Sequence, residues 1–264
     1  MTLNEWHLNR RETPLVTSDF SIGSSDITIV TYIYGGEGYV ENNFFKVKNS
    51  ILETWRHLGF LKTVIVTSDK TISLQLFEKD YAEWVRVDVS YGLIPGDLYA
   101  YSRDCIKNLY LRFDTPYMLF IHPDGFPLRS GIEKFVGRYD YIGAPWSPAD
   151  DDWIGKLLLS RKNFVGNGGF SLRSRAICEA AASLYNRGFK YIPNIFLMYE
   201  DIFFTRVLTK YIPSYRKRFT IASPEEATEF AIETTPIQDD IVPLGFHSAS
   251  AFERLMSHSG KYSI

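Results

Sequence analysis

The chain of 264 residues contains little cysteine and no long apolar segment. Its two cysteines, Cys105 and Cys178, lack metal-binding spacing, so we expect both to be reduced and structural. No apolar run approaches the ~20 residues of a membrane-spanning helix, and no apolar signal segment opens the chain. The sequence therefore predicts a cytoplasmic protein that is neither secreted through a cleaved signal nor membrane-spanning.

The sequence also lacks an excess of positive charge. A formal net charge of −2 gives no support for general nucleic-acid binding, which normally shows as clustered Lys and Arg. One basic cluster, Lys210 with residues 216–218, fits a peripheral contact at the inner face of a membrane, an anionic glycan or ordinary surface charge. Nothing in the sequence indicates an obligate protein partner.

The chain has no internal repeat, low-complexity segment or linker. We therefore predict one domain over residues 26–264, preceded by an irregular polar arm over residues 1–25. Aromatic residues make up 16% of the chain, which is high. Flat rings pack on the C–H faces of sugars and would suit a carbohydrate site, but a core rich in Phe and Tyr explains them equally well.

Apolar runs alternate with helical patterns along the chain. Strands are predicted at residues 27–34, 64–66, 85–89, 117–122 and 139–143. Helices are predicted from a cap at Asn43 to a stop at Gly59, near 71–79, over 99–112, from a cap at Ser174 to a stop at Gly188, and over 200–210. This alternation predicts an α/β fold with a mainly parallel central sheet and helices on both faces.

Ligands of such sheets bind beyond the carboxyl ends of the strands. Residues 34–38, Asp69 and Asp124 each follow a predicted strand, so we expect them to face one crevice. Asp124 lies in the sequence His122-Pro123-Asp124-Gly125, directly after an apolar strand. Carboxylate oxygens hold divalent cations that stabilise a departing diphosphate, which makes Asp124 a candidate anchor for Mn²⁺ or Mg²⁺. A plain Pro-Asp-Gly turn is the alternative.

A second acidic motif, Glu200-Asp201, opens a predicted apolar helix. A carboxylate within hydrogen-bond reach of an acceptor hydroxyl can serve as a general base. Because adjacent helical residues face different ways, one acid is expected to face the site while the other contacts an acceptor or caps the helix. Stabilisation of the helix dipole is the alternative for the pair.

The segment Gly166-Asn167-Gly168-Gly169 has neither the lysine of a P-loop nor the dinucleotide fingerprint. The missing side chains of Gly168 and Gly169 would leave room for a sugar ring against the backbone, and Asn167 could bond its hydroxyls. A turn that leads into a strand at 170–172 is the alternative.

Three further polar residues have two interpretations each. His247 could donate a ring nitrogen to an ion or be a packed, hydrogen-bonded histidine. Arg103 and Lys107 lie four residues apart on a predicted helix, so both could face a phosphate or belong to a solvated face.

Three segments together resemble a largely uncharacterised family of bacterial GT-A-type glycosyltransferase domains. They are residues 139–146 (YDYIGAPW), 165–173 (VGNGGFSLR) and 200–204 (EDIFF). The similarity runs from about residue 26 to 250. More distantly, the Gly-Gly-Phe-Ser sequence followed by Glu-Asp is similar to fringe-type and β-galactosyltransferase enzymes, which invert the anomeric centre.

The resemblance implies roles for individual residues. Asp201 would be the catalytic base and Glu200 an acceptor contact. The Asp-x-Asp metal motif of those enzymes aligns with residues 122–124, so that Asp124 and His247 would hold the ion while His122 replaces the first acid. The predicted donor-binding residues are Thr31, Tyr32, Asp69, Arg103, Lys107 and Asp124. The predicted sugar- and acceptor-binding residues are Trp146, Asn167, Gly168, Gly169 and Glu200.

The sequence thus predicts a cytoplasmic inverting glycosyltransferase with one GT-A-like domain. It would move a sugar from a nucleotide-sugar donor to a glycan or lipid-linked glycan in bacterial surface-polysaccharide synthesis, using Mn²⁺ or Mg²⁺. Two alternatives stay open. A non-catalytic glycan-binding protein is favoured by the missing first acid, whereas a nucleotidyltransferase is disfavoured because no Gly-rich basic loop follows the first strand.

Overall fold

The fold is described from a computed structural model. The structure describes residues 1–11, 21, 23–33, 39–68, 83–94, 96–146, 165–188, 199–215 and 217–258. The strands are β1 (Ile27–Ile33), β2 (Thr63–Thr67), β3 (Val85–Val89), β4 (Tyr117–Ile121), β5 (Gly125–Pro127), β6 (Tyr141–Gly143), β7 (Phe170–Ser174), β8 (Ala231–Ile232) and β9 (Gly245–His247). The helices are α1 (Leu3–Asn9), α2 (Tyr39–Leu58), α3 (Leu98–Asn108), α4 (Arg175–Asn186), α5 (Glu200–Ile202), α6 (Pro224–Phe230) and α7 (Ala249–Ser257).

A six-stranded sheet forms the centre of the molecule, with strand order β3-β2-β1-β4-β7-β6. Strands β3, β2, β1 and β4 run parallel to one another, and β7 pairs antiparallel with both β4 and β6. A smaller three-stranded sheet has the order β5-β9-β8. The predicted α/β fold with a mainly parallel sheet is therefore confirmed.

Both faces of the large sheet are covered by helices, which explains why every residue of β1 is buried. Successive side chains of a strand point to opposite faces. Ile29 packs with α2 residues such as Ile51 on one face, whereas Val30 packs with α3 and α4 residues such as Ile106 on the other. The continuous apolar runs in the sequence thus reflect burial on two sides.

A third apolar cluster joins α1 to the small sheet and α7. Within it, the ring of Trp6 stacks on Phe126 with a centroid separation of 4.6 Å. Thr2 and Glu5 form a capping box at the start of α1. The prediction of an irregular arm is therefore wrong over residues 3–9, and the Thr-x-x-Glu spacing was the signal for this helix.

Other boundaries also differ from the predictions. Helix α2 begins at Tyr39, so Asn43 lies inside it and is not its cap. The predicted helix over 99–112 is shorter, because α3 ends at Asn108 and a 3₁₀ turn (Leu109–Leu111) follows. The helix predicted over 200–210 begins with α5 and continues in π-helical turns (Phe203–Tyr211). The helix predicted near 71–79 lies outside the described residues.

The two cysteines are both free and buried, in agreement with a structural role. Among the described residues, no helix combines the length and the apolar character that a membrane span requires.

Candidate functional site

A cavity of about 690 Å³ opens at the carboxyl ends of β1 and β4, where the strand topology predicted a ligand. Its described lining comes from five elements and the turn after β4. It includes Leu3 and His7 of α1, Tyr32 and Ile33 of β1, Asn43 and Lys46 of α2, Leu98 and Tyr101 of α3, His122, Pro123, Asp124 and Ala249.

His122 and Asp124 line this cavity, and His247 lies beside them. One potential ligand atom from each residue lies within 4.8 Å of the others. The pairing of β5 with β9 sets Gly125 opposite His247, which brings the preceding Asp124 beside the imidazole. The Asp124 Oδ1 to His247 Nε2 distance is 3.3 Å, and the Asp124 side chain is 42% exposed. The structure therefore joins the two predicted metal residues and adds His122.

Each histidine of this group also contacts an outer polar residue. Nδ1 of His247 lies 3.0 Å from Oε1 of Glu233, which follows β8. Nε2 of His122 lies 2.9 Å from the hydroxyl of Tyr101 on α3. Sequence reasoning missed Glu233 and Tyr101 because their sequence neighbours carry no motif. It missed His122 as a ligand because that position was interpreted only as a lost acid.

The charges of this group determine the pKa values of its members. Burial lowers the pKa of His247, but the carboxylates of Asp124 and Glu233 outweigh it and raise the pKa to about 10. Burial raises the pKa of Asp124, yet the His247 imidazolium holds it well below its usual range. Burial, with the charge of His247, lowers the pKa of His122 to about 4, so this ring is neutral at pH 7.

The donor set suits a divalent cation. Two imidazoles and one carboxylate are ligands that divalent transition metals accept, and His–carboxylate pairs such as His247–Glu233 commonly support metal-binding rings. A Cβ added to Gly169 would lie 2.1 Å from Nε2 of His247, so the glycine provides the space in which that ring sits. Such an ion would be held by Asp124, His247 and His122.

The glycine segment lies between this group and the second acidic motif. The backbone N–H of His122 donates to the carbonyl of Gly169 at 2.8 Å. A Cβ on Gly168 would lie 2.4 Å from Oε1 of Glu200. Gly168 and Gly169 thus make room for Glu200 and His247, where the sequence predicted room for a sugar ring. Any contact of these two residues with a sugar would have to come from their backbone.

Asn167 is buried and its Oδ1 accepts a hydrogen bond from the N–H of Gly169 at 3.1 Å. Its side chain therefore stabilises the turn, and sugar binding by this residue stays a prediction. The ring of Trp146 lies against Gly166, where a Cβ would be 3.0 Å from the indole. Trp146 is half-buried, and its role as a sugar contact also stays a prediction.

Glu200 forms a buried ion pair with Arg173, with 2.7 Å between Oε1 and Nη2. The side chain of Arg173 is 0% exposed, and its guanidinium lies 4.8–5.0 Å from the ring centroids of Phe120, Tyr141 and Phe204. The other Glu200 oxygen accepts the N–H of Asp201. Both oxygens of Glu200 are therefore engaged within the protein, which leaves its predicted contact with an acceptor without geometric support.

Asp201 is partly exposed, and its Oδ1 accepts a hydrogen bond from the N–H of Ile202 at 2.7 Å. Burial and the adjacent Glu200 carboxylate raise the pKa of Asp201 well above its usual range, and Glu233 adds to the rise. Asp201 is not among the described residues that line the 690 Å³ cavity. The structure therefore does not show Asp124 and Asp201 in one pocket, and a pocket shared by them stays a prediction.

The structure places only some of the predicted donor-binding residues at the cavity. Tyr32 lines the cavity, and its hydroxyl donates to the buried Asp104 at 2.8 Å. Thr31 is 0% exposed within the sheet and does not face the cavity. Arg103 lies against Tyr99 on α3 and Lys107 is exposed in its last turn, so the structure does not bring either to the described cavity lining. Asp69 lies outside the described residues.

Two residues that sequence reasoning missed line the cavity instead. Lys46 of α2 supplies a positive charge there, and His7 of α1 supplies a buried imidazole. Nε2 of His7 lies 2.9 Å from the carbonyl oxygen of Pro123, which also accepts the Ser50 hydroxyl at 2.8 Å. Helix α1 and helix α2 thus hold the turn that carries Asp124.

Residues 97–247, more than half of the chain, match a family described as "Protein of unknown function (DUF5672)". The chain belongs to this family. The match includes every residue of the His122 group together with Glu233, Glu200 and Asp201, whereas His7 and Lys46 lie before it. A search of curated protein sequences finds no match to this DUF5672 protein.

Three solved structures of glycosyltransferases are similar to this chain. The apo form of mouse xyloside xylosyltransferase 1 superposes with a TM-score of 0.54 at 9% identity, covering 85% of this chain and 98% of that chain. An active-site mutant of LgtC has a TM-score of 0.49 at 12% identity, covering 90% and 96%. A glycosyltransferase involved in glycosylation of the major capsid of PBCV-1 has a TM-score of 0.46 at 14% identity, covering 88% and 98%. At these identities the likeness concerns the fold alone, and only the superposition on the xylosyltransferase, with a TM-score above 0.5, supports a similar fold.

Proposed function

We propose that this DUF5672 protein is a glycosyltransferase that moves a sugar from a nucleotide-sugar donor to a hydroxyl of a glycan acceptor. The observation that carries the proposal is the position of the His122–Asp124–His247 group. Two of its members, His122 and Asp124, line the cavity at the carboxyl ends of β1 and β4, in a chain whose fold is similar to that of a glycosyltransferase. This is where ligands of open α/β sheets bind.

Different residues of the site would bind different parts of the donor. Asp124, His247 and His122 would hold a divalent cation, which when bound stabilises the negative charge on a departing nucleoside diphosphate. Lys46 faces the same cavity and would attract the phosphates directly. Tyr32, whose hydroxyl is held by Asp104, would form the floor under the nucleoside.

On the acceptor side, Asp201 would remove the proton of the attacking hydroxyl. A general base is most effective when its pKa lies near the working pH, and the pKa of Asp201 is raised by burial and by Glu200. Direct attack by that hydroxyl inverts the anomeric centre, so we propose an inverting reaction. Trp146 would pack on a sugar face, and the acceptor would be a surface polysaccharide or a lipid-linked glycan.

The test is a donor screen. Purified protein is incubated with UDP-, GDP- and dTDP-sugars with and without added divalent cation, and the released nucleoside diphosphate is measured. We expect turnover of at least one donor, a loss of turnover in Asp124→Ala, and donor binding without transfer in Asp201→Asn. Exposed Asp26→Asn is the matched control and should behave as the unmodified chain. Full transfer by Asp201→Asn, or a product whose anomeric configuration in NMR is retained, would remove Asp201 as the base.

One observation favours a second function, a glycan-binding protein without catalysis. His122 stands where the related metal motif has its first acid. Isothermal titration separates the two functions, because a lectin should bind glycan and no nucleotide sugar. Release of pyrophosphate from a nucleoside triphosphate in the same assays would instead indicate a nucleotidyltransferase.

A further inference from the structure

We infer that the His122–Asp124–His247 group selects a transition-metal cation and discriminates against Mg²⁺. The inference rests on the proposed function, because it concerns the cation of the same cavity. It goes further by naming Glu233 and Tyr101 as positioning residues and by naming the chemical class of the metal.

The selectivity follows from the donor atoms. Mg²⁺ prefers oxygen ligands and water, and imidazole nitrogen is a poor ligand for it. Imidazole suits Co²⁺, Ni²⁺ and Zn²⁺, and the affinity of a mixed nitrogen and oxygen site rises from Mn²⁺ towards these ions. The group supplies two imidazoles and only one carboxylate, so most of its donors suit the later metals.

Both histidines are oriented by partners outside the group, which distinguishes a built site from a chance cluster. His247 donates Nδ1–H to Glu233, so Nε2, which faces Asp124, is the nitrogen that would lose its proton and coordinate an ion. When Nε2 of His122 carries the proton and donates to the Tyr101 hydroxyl, the lone pair of its Nδ1 is free for an ion. Outer partners of this kind fix the tautomer and raise ligand basicity.

Glu233 contributes a second feature. Its Oε2 is buried and has no hydrogen-bond partner among the described residues, while its Oε1 is engaged with His247. This carboxylate therefore adds negative charge to the group without being saturated by other contacts. A cation between Asp124 and His247 would compensate that charge.

The test measures metal binding in the absence of any donor or acceptor. The intact chain is titrated separately with Co²⁺, Zn²⁺, Mn²⁺ and Mg²⁺ by isothermal titration calorimetry, and Co²⁺ binding is followed by its visible spectrum. We expect Co²⁺ and Zn²⁺ to bind on the order of 100-fold or more tightly than Mg²⁺, with Mn²⁺ between them.

Three variants assign the ligands and their outer partners. His122→Asp should lower the preference for Co²⁺ over Mg²⁺ by about tenfold or more, because it replaces nitrogen by oxygen. Glu233→Gln and Tyr101→Phe should each weaken Co²⁺ binding by roughly 10–100-fold while leaving the number of ligands unchanged. His258→Asn, an exposed histidine outside the cavity, is the control and should change nothing. Circular dichroism of each metal-free variant checks that it is folded.

Equal affinity for Mg²⁺ and Co²⁺, or unchanged Co²⁺ binding in His122→Ala, would overturn the inference. Its failure is distinguishable from failure of the proposed function. A chain that binds Co²⁺ selectively but turns over no nucleotide sugar would support the metal inference and contradict the glycosyltransferase proposal. A chain that turns over a donor and binds Mg²⁺ as tightly as Co²⁺ would do the reverse.

Discussion

Two carboxylates lie on either side of Gly168 and Gly169 in opposite environments: Asp124 in the open cluster with His122 and His247, and Glu200 in the enclosed pair with Arg173. Asp124 lies in an open cavity, 42% exposed, and contacts a histidine. Glu200 is enclosed, with a side chain 6% exposed, and pairs with an arginine that is itself surrounded by three aromatic rings. Access to solvent decides which of them can exchange its partner for an ion or a ligand. The first cluster is therefore suited to binding and the second to holding the fold together.

The largest expected effect comes from breaking the enclosed pair. Arg173→Met leaves the Glu200 carboxylate buried without its partner, which typically costs about 3–5 kcal/mol. Denaturant unfolding should show this loss. The matched control is Arg175→Met, two residues along, whose pair with Glu179 is exposed and should contribute less than about 1 kcal/mol. Similar losses in both variants would contradict the structural role assigned to the buried pair.

For the His122–Asp124–His247 group, the informative readout is ligand binding. Asp124→Asn removes the single carboxylate of the cation group, and we expect metal affinity to fall by about 100-fold or more, with donor turnover lost alongside it. Calorimetry with Co²⁺ measures the first effect and the donor assay the second. An affinity within about threefold of the unmodified chain would show that Asp124 is not a ligand.

Substitution of Gly169, which lies between the two clusters, tests whether the position of the His247 ring controls metal binding. A methyl group at Gly169 would meet the His247 ring, so Gly169→Ala should destabilise the fold by about 1–3 kcal/mol and weaken metal binding as well. Gly92→Ala is the control, since nothing lies within 4 Å of its added Cβ. Thermal unfolding and metal titration are compared for both variants. Unchanged metal affinity in Gly169→Ala would show that metal binding does not depend on the position of the His247 ring.

The smallest effect concerns the wall of the open cavity. Burial lowers the pKa of His7 to about 4, whereas the unfolded chain binds a proton near 6.5. The unfolded state therefore gains protons first as the pH falls, and stability is lost between about pH 6.5 and 4. Between pH 7 and pH 5 this loss should be about 1–2 kcal/mol, measured by denaturant unfolding. In His7→Gln the slope over this range should become shallower, and an unchanged slope would assign the pH dependence to other groups.

Much of the fold was predictable because strands buried on two sides leave a strong local signal. The apolar runs predicted as strands at 27–34 and 117–122 correspond to β1 and β4, which each end one residue earlier. Helix α1 was missed because the capping box of Thr2 and Glu5 was not recognised, and because the packing of Leu3 and Trp6 on Phe126 and α7 is not visible locally. The prediction that Arg103 and Lys107 bind a phosphate stays open, because helical spacing shows that two residues share a face but not what that face contacts.

By itself, the sequence determined the alternation of strands and helices, the carboxylate after β4 and the second acidic motif, because periodicity, turn residues and motif spacing are local properties. Only the tertiary structure decided which of these residues meet. The pairing of β5 with β9 joins Asp124 to His247 across more than a hundred residues, and the packing of α3 and β8 adds Tyr101 and Glu233. Solvent exposure and partner charge then separate Asp124 from Glu200, and both depend on packing between distant parts of the chain.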